Sequence, residues 1–243
     1  MEDPSDPVSI WASLRQRSLE AEWLDDIHVE IEALEHNLQQ LELLNRLLGG
    51  HQSLLRGFKR ALRFMPKRRL RVVDVGCGGG DGLRLLDKWC QANHLPVELT
   101  GLDISPAVLE IARLQSREHP HIHYVEGDAF EGTLRALAPD ITTATLFCHH
   151  LPSASLPSQL STLLTASQAL VISDLHRHPI SHAAFRGLAK IAQLSPMTRH
   201  DGAVSIRRGF KRSELENLIA PLGARHASIH WAFAFRYEVL LVR

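Results

Sequence analysis

Three carboxylates and a run of glycines stand out among the residues able to do chemistry. In Val72-Val73-Asp74-Val75-Gly76-Cys77-Gly78-Gly79-Gly80 a short β-branched run carries an acidic residue and then enters a glycine-rich turn. Glycine lets a backbone approach a ligand closely, and open α/β sheets bind ligands at the carboxyl ends of their strands. Gly101-Leu102-Asp103-Ile104-Ser105 ends a second apolar run, and Glu126-Gly127-Asp128-Ala129-Phe130 follows a third. One acidic loop residue is commonplace, but three in order, each closing a predicted strand, form a pattern. The turn is not the dinucleotide fingerprint: GxGxxG started at Gly76 needs glycine where Asp81 stands, and started at Gly78 needs it at Leu83. It is not a P-loop either, since no Gly-Lys-Ser/Thr follows.

Imidazole is the second resource, with 15 histidines in 243 residues. A fourth predicted strand runs into Phe147-Cys148-His149-His150, and a fifth into Ser173-Asp174-Leu175-His176-Arg177-His178. A histidine with its ordinary pKa near 6.5 suits general-base work on a hydroxyl at neutral pH, and a carboxylate such as Asp174 can orient it. His149 and His176 are the candidate bases, and Arg177 is a candidate to steady a phenolate. The bland alternative is histidines that pack or face solvent.

The elements that must position these residues follow from periodicity. Residues 70–75, 97–103, 122–125, 141–147 and 169–173 read as apolar strands separated by helices, which implies a parallel sheet covered on both faces. Ser105-Pro106 is an N-cap and first-turn proline for a helix to about residue 116. Ser213 and Glu216 are spaced as a capping box. Two closing strands, 227–235 and 237–242, have no room for a crossover between them and must be antiparallel. Upstream, Ile27, Ile31, Leu34, Leu38, Leu41, Leu44 and Leu48 form one apolar stripe of a long helix stopped at Gly49-Gly50, and a basic helix covers about 51–64. The organisation expected is a helical N-terminal cap over 1–69, an α/β domain over 70–243, and an insertion at 180–210 that roofs a substrate cavity together with the cap.

The glycine-rich segment resembles the first motif of class I S-adenosylmethionine-dependent methyltransferases, and Asp103 and Asp128 fall at that family's next landmarks. The resemblance runs from about residue 70 to 243. It implies a Rossmann-like seven-stranded α/β sheet, mostly parallel with a C-terminal antiparallel hairpin, and S-adenosyl-L-methionine as cofactor. It also implies roles. Asp103 accepts from the ribose hydroxyls, and Asp128 from the adenine amino group. Ile104 and Ala129 line the adenine. The backbone of Gly76, Cys77 and Gly78 holds the methionine portion, and Asp74 faces its amino end. The segments DLHRHP, RHDG, SIRRGF and LNRLLGG resemble a bacterial subgroup associated with polyketide and phenolic-lipid gene neighbourhoods. The substrate expected is therefore a small hydrophobic molecule with a phenolic hydroxyl. A carbon or nitrogen methyltransferase, or a silent cofactor-binding scaffold, stays open, as does the oligomeric state.

Composition narrows the classes. Lys plus Arg and Asp plus Glu both number 27, so no net charge draws the chain to nucleic acid. The basic stretch at 56–71 has few aromatics and reads as a solvated or paired helix face. Cys77, Cys90 and Cys148 form no CxxC pair or Cys/His ligand run, so neither a disulfide framework nor a metal site is expected. No stretch approaches the roughly 18 apolar residues of a membrane span, and residues 1–10 lack a signal-peptide core, which points to a cytoplasmic protein.

Overall fold

A computed structural model describes residues 14–25 and 30–243. Its helices are α1 (Ile31–Leu47), α2 (Gly50–Ala61), α3 (Asp81–Ala92), α4 (Pro106–Gln115), α5 (Thr133–Leu137), α6 (Leu156–Ala166), α7 (Pro179–Ile191), α8 (Pro196–Arg208) and α9 (Arg212–Ile219). Its strands are β1 (Leu70–Val75), β2 (Val97–Asp103), β3 (Ile122–Glu126), β4 (Ile141–Thr145), β5 (Ala169–Leu175), β6 (His226–Ala232) and β7 (Arg236–Val242). They form one sheet in the order β3-β2-β1-β4-β5-β7-β6. The first five strands are parallel, while β7 pairs antiparallel with both β5 and β6, as the missing crossover required. The order reverses between β1 and β4, and a crevice opens at the carboxyl ends of the strands there.

Strand periodicity divides the core. Val73, Val75, Ile172 and Leu241 point to one face and pack with Leu160 and Leu163 of α6 and Leu215 of α9. Leu70, Val72, Val171 and Leu240 point to the other, against Leu54 and Phe58 of α2 and Leu83 and Leu86 of α3. Both faces being dry explains why the strands read as unbroken apolar runs.

The helical leader divides in two. α2 belongs to the sheet layer: Phe58 and Ala61 are fully buried against it, and Arg56 and Arg60 pair with the buried Glu238 of β7. α1 instead bridges separate elements. Leu34 and Leu38 pack on Val108 and Ile111 of α4, and Leu44 packs on Phe185 and Ala189 of α7, Leu194 in the link and Ile206 of α8. The predicted stripe holds from Leu34 to Leu48. Ile31, in the first turn, is exposed, and Ile27 lies outside the described residues. The capping box expected from Ser213 and Glu216 is displaced by two residues: α9 starts at Arg212, and Glu214 accepts from the Lys211 backbone N–H at 2.8 Å. Gly49 stops α1 with a φ of +76°, but Gly50 already opens α2. No helix among the described residues is long and apolar enough to cross a membrane.

Candidate functional site

The glycine turn after β1 forms the floor of a cavity of about 1150 Å³. That exceeds the roughly 300–1,000 Å³ of pockets that hold one drug-sized ligand. Gly76 has a φ of +62°, and a Cβ there would stand 2.2 Å from the Phe147 ring, so the turn excludes any side chain at this point. The rest of the wall comes from the ends of β2 and β4, the loop after β3, α1 as roof, α7 and α8 at one side, and the β6–β7 turn.

Gly76, Cys77, Gly78, Asp103, Ile104, Asp128, Ala129 and His149 all line this one cavity. Asp103 is held by backbone: Gly78 N–H donates to one carboxylate oxygen and Ser105 N–H to the other, each at 3.1 Å. Burial raises its pKa above the ordinary carboxylate value. Asp128 accepts from Phe130 N–H at 2.7 Å. Ile104 is 70% exposed, an apolar side chain left open on the cavity wall. The Cys77 thiol is pushed up by burial, so it stays a neutral lining group.

Three expected residues stand elsewhere. Asp74 lies behind the wall, buried, with Thr143 Oγ1 donating to it at 2.6 Å. Burial, with Asp81 and Asp103 nearby, raises its pKa to about 7. His176 lines a separate pocket with His178, Lys211 and Glu216, and burial beside other cations pushes its pKa down to about 4. Its backbone forms a parallel bridge with Phe210, and its ring packs 4.8 Å from that of Tyr237, outside the large cavity. Arg177 is likewise spent on structure: its fully buried guanidinium donates to the Leu14 and Gly209 carbonyls and to Glu214.

The cavity also gathers groups that sequence reasoning missed. Asp81, first residue of α3, takes a hydrogen bond from Asn45 Nδ2 at 3.2 Å and stands 2.8 Å from His51 Nε2. The Asn45 amide oxygen accepts from Arg236 Nη2, also at 3.2 Å, so one amide joins an acid and a base on the wall. Burial lowers the Arg236 pKa to about 10, and its Nη1 finds no partner among the described residues. Arg236 opens β7, whereas the sequence reading places it in the turn between the last two strands, so nothing there marks it.

At the other end, His149 and Asp174 pair at 2.7 Å through Nδ1, both 2% exposed. This is the orienting contact that the sequence suggested for Asp174. His149 Nε2 points to Glu22 Oε1 at 3.4 Å, and His150 Nε2 to Glu22 Oε2 at 3.8 Å. Burial works to lower the His149 pKa, but Asp174 and then Glu22 more than offset it and push it up to about 9. At neutral pH the ring is thus an imidazolium, not the neutral base expected. Glu22 had no sequence signal. It arrives because Asp201 of α8 accepts from the Trp23 and Leu24 N–H groups at 2.8 and 3.1 Å, pinning the turn at 22–25. Arg207 and Arg208 pair with Glu20 and Asp25 of that same acidic segment.

Comparison with known proteins fits this geometry. Residues 72–168 match the family described as "Methyltransferase domain". The ubiquinone biosynthesis O-methyltransferase of Burkholderia thailandensis is 32% identical over 164 residues, covering 65% of this chain and 66% of that one. The protein of the same name from Xanthomonas axonopodis pv. citri is 32% identical over 137 residues, 54% of each chain. The chain thus spans between about half and two thirds of the length of these relatives. Among solved structures, the plantazolicin methyltransferase in complex with SAH superposes with a TM-score of 0.67 at 15% identity, over 97% of this chain and 98% of that one. Human N-acetylserotonin methyltransferase in complex with SAM gives 0.65 at 17%, over 97% and 66%. Residues 72–168 thus carry a methyltransferase domain, and the chain has the Rossmann-like fold of class I S-adenosylmethionine-dependent methyltransferases, the family its glycine-rich turn resembles.

Proposed function

We propose that the protein moves the methyl group of S-adenosylmethionine onto a hydroxyl of a hydrophobic, phenolic small molecule. The observation that carries this reading is the continuity of one cavity. Its floor and one wall offer cofactor chemistry, and its far side is apolar, with Leu41, Leu44, Phe185 and Leu188, except for the polar patch of Glu22, His149 and His150. The relatives named as O-methyltransferases of ubiquinone biosynthesis support oxygen as the acceptor atom.

The residues present fit the cofactor. Gly78 leaves an open cradle, with Leu38 the nearest side chain at 3.9 Å from a Cβ built there. Asp103 and Asp128 are acceptors for the ribose hydroxyls and the adenine amino group, and Ile104 and Ala129 supply apolar surface for the base. Asp81 and Arg236, held side by side by Asn45, match the ammonium and carboxylate of the methionine zwitterion, and the orphaned Arg236 Nη1 lacks such an acceptor. Asp74 acts from behind the wall, through the turn. When bound, S-adenosylmethionine supplies an electrophilic methyl carbon.

The protein's part is to position the acceptor oxygen. Bringing two reactants into line can by itself lower a barrier by several kcal/mol. The patch of Glu22, His149 and His150 offers the acceptor oxygen its polar contacts at the apolar end of the cavity. His176 and Arg177, outside the cavity, take no part. Incubation with S-adenosylmethionine and a panel of hydrophobic phenols should yield S-adenosylhomocysteine and a methyl ether, read by mass spectrometry. Cofactor binding with methylation confined to amines or carbon acids would overturn the oxygen assignment. Binding without turnover of any acceptor would favour a scaffold.

A further inference from the structure

Two histidines that face one carboxylate, each braced from behind by another carboxylate, form the cluster at the apolar end of the cavity. His149 Nδ1 is held by Asp174 at 2.7 Å, and His150 Nδ1 by Asp25 at 3.2 Å. That leaves both Nε2 atoms aimed at Glu22, at 3.4 and 3.8 Å. One ligand atom from each of Glu22, His149 and His150 lies within 4.8 Å of the others. Ligands about 2.1 Å from a metal stand roughly 3.0 Å apart in an octahedron and about 3.4 Å apart in a tetrahedron, and the two histidine–carboxylate separations of 3.4 and 3.8 Å are close to these spacings. His149 Nε2 is buried and makes no well-formed hydrogen bond, although Glu22 is near.

We propose that Glu22, His149 and His150 form a binding site for a first-row transition-metal dication that holds the acceptor hydroxyl of the substrate. The proposal rests on the methyl-transfer reading of this cavity and adds the group that would fix its acceptor atom. The chemistry of the donors selects the metal. Two imidazoles and one carboxylate on one side, with the cavity left open on the other, suit zinc, iron(II) or cobalt(II) better than magnesium or calcium, which favour oxygen ligands. The bracing is what such sites need: a carboxylate on the far ring nitrogen fixes the tautomer and turns the lone pair inward. Charge also fits. Glu22, Asp25 and Asp174 are three anions, and among the described residues Arg17 and Arg208 are the guanidiniums that bond into the cluster. Arg17 and Arg208 bond the His149 carbonyl oxygen, and Arg208 stands 3.6 Å from Asp25. A phenol bound here exchanges its O–H bond for an oxygen–metal bond and gives its proton to water. In the transfer the oxygen–carbon bond forms, the carbon–sulfur bond breaks and sulfur keeps the electron pair.

The test uses cobalt(II) as probe on untagged, chelator-treated full-length protein. One equivalent should bind, with visible absorption bands, and Glu22→Gln and His150→Ala should each weaken binding at least about tenfold. No stoichiometric binding, or the same bands and affinity in both variants, would overturn the site. Calorimetry with S-adenosylmethionine on the same samples separates this from the methyltransferase reading. Protein that binds the cofactor but no cobalt refutes the metal alone. Variants that keep cofactor affinity but lose cobalt are folded and support it.

Discussion

Replacing Arg236 by methionine separates what this side chain does for the empty protein from what it does for the cofactor. The guanidinium is buried, and its pKa falls from 12.5 to about 10. That difference represents about 3 kcal/mol against the charged form. Its bonds to Asn45 Oδ1 at 3.2 Å and the Leu48 carbonyl at 3.3 Å return roughly 1–2 kcal/mol each. The two sides nearly cancel, so Arg236→Met should change the stability of the free protein by less than about 1 kcal/mol. Methionine also fills a similar volume, which limits cavity formation. The cofactor carboxylate, in contrast, loses a charge-assisted partner worth about 1.5–3 kcal/mol. S-adenosylmethionine affinity should then fall about 10- to 150-fold. Calorimetry against S-adenosylmethionine and its decarboxylated analogue reads the difference. The analogue lacks the group that Arg236 is assigned, so the variant and the wild type should bind it alike. An equal loss for both ligands would refute the carboxylate assignment and make Arg236 a purely structural residue.

Three more expectations follow from particular contacts. Asp103→Ala removes the acceptor assigned to the ribose hydroxyls and should weaken cofactor binding by about 1–3 kcal/mol in calorimetry; unchanged affinity would misplace that residue. Removing residues 1–48 takes away Glu22 and the α1 roof but no member of the core layer that begins at Leu54, so methyl transfer should vanish while far-UV circular dichroism and cooperative unfolding persist. Retained activity would make the segment an interaction arm. Asp74 has a folded-state pKa near 7 against 3.8 ordinarily, so its contribution to stability is fully present below about pH 4 and is lost as pH rises through 7. Asp74→Asn should therefore resist urea better than the wild type at pH 8, with an advantage that shrinks at pH 5 and vanishes near pH 4; an advantage that does not change with pH would contradict the raised value.

The fold was legible because its local and global preferences agree. Strands β1 and β2 have the bounds that their apolar runs suggest, and Ser105 caps α4 with its side chain accepting from Val108 N–H. The antiparallel end of the sheet follows from a turn too short for a helix. What periodicity could not assign was the partner of each apolar stripe. α1 and α2 both read as helices of one leader, yet one covers the cavity and the other completes the sheet layer. The same limit sent Arg56 and Arg60 to Glu238, 178 or more residues away, rather than to the acidic segment nearby.

The site divides along the same line. Residues placed on the cavity by the local geometry of one strand end, such as Gly76, Asp103 and Asp128, announce themselves, because the turn that places them is written in adjacent residues. Residues that act in pairs across the chain do not. Glu22 meets His149 only because Asp201 pins a turn 178 residues upstream of it. Arg236 meets Asp81 only through Asn45. His149 and His176 show the consequence. Both follow strand ends and both have acidic or cationic neighbours in sequence, but Asp174 holds one at the cavity as a cation, while the other lines a separate pocket. Histidine chemistry at this sheet edge is therefore set by which carboxylate reaches each ring, and that is a property of the packed roof rather than of the strands beneath it.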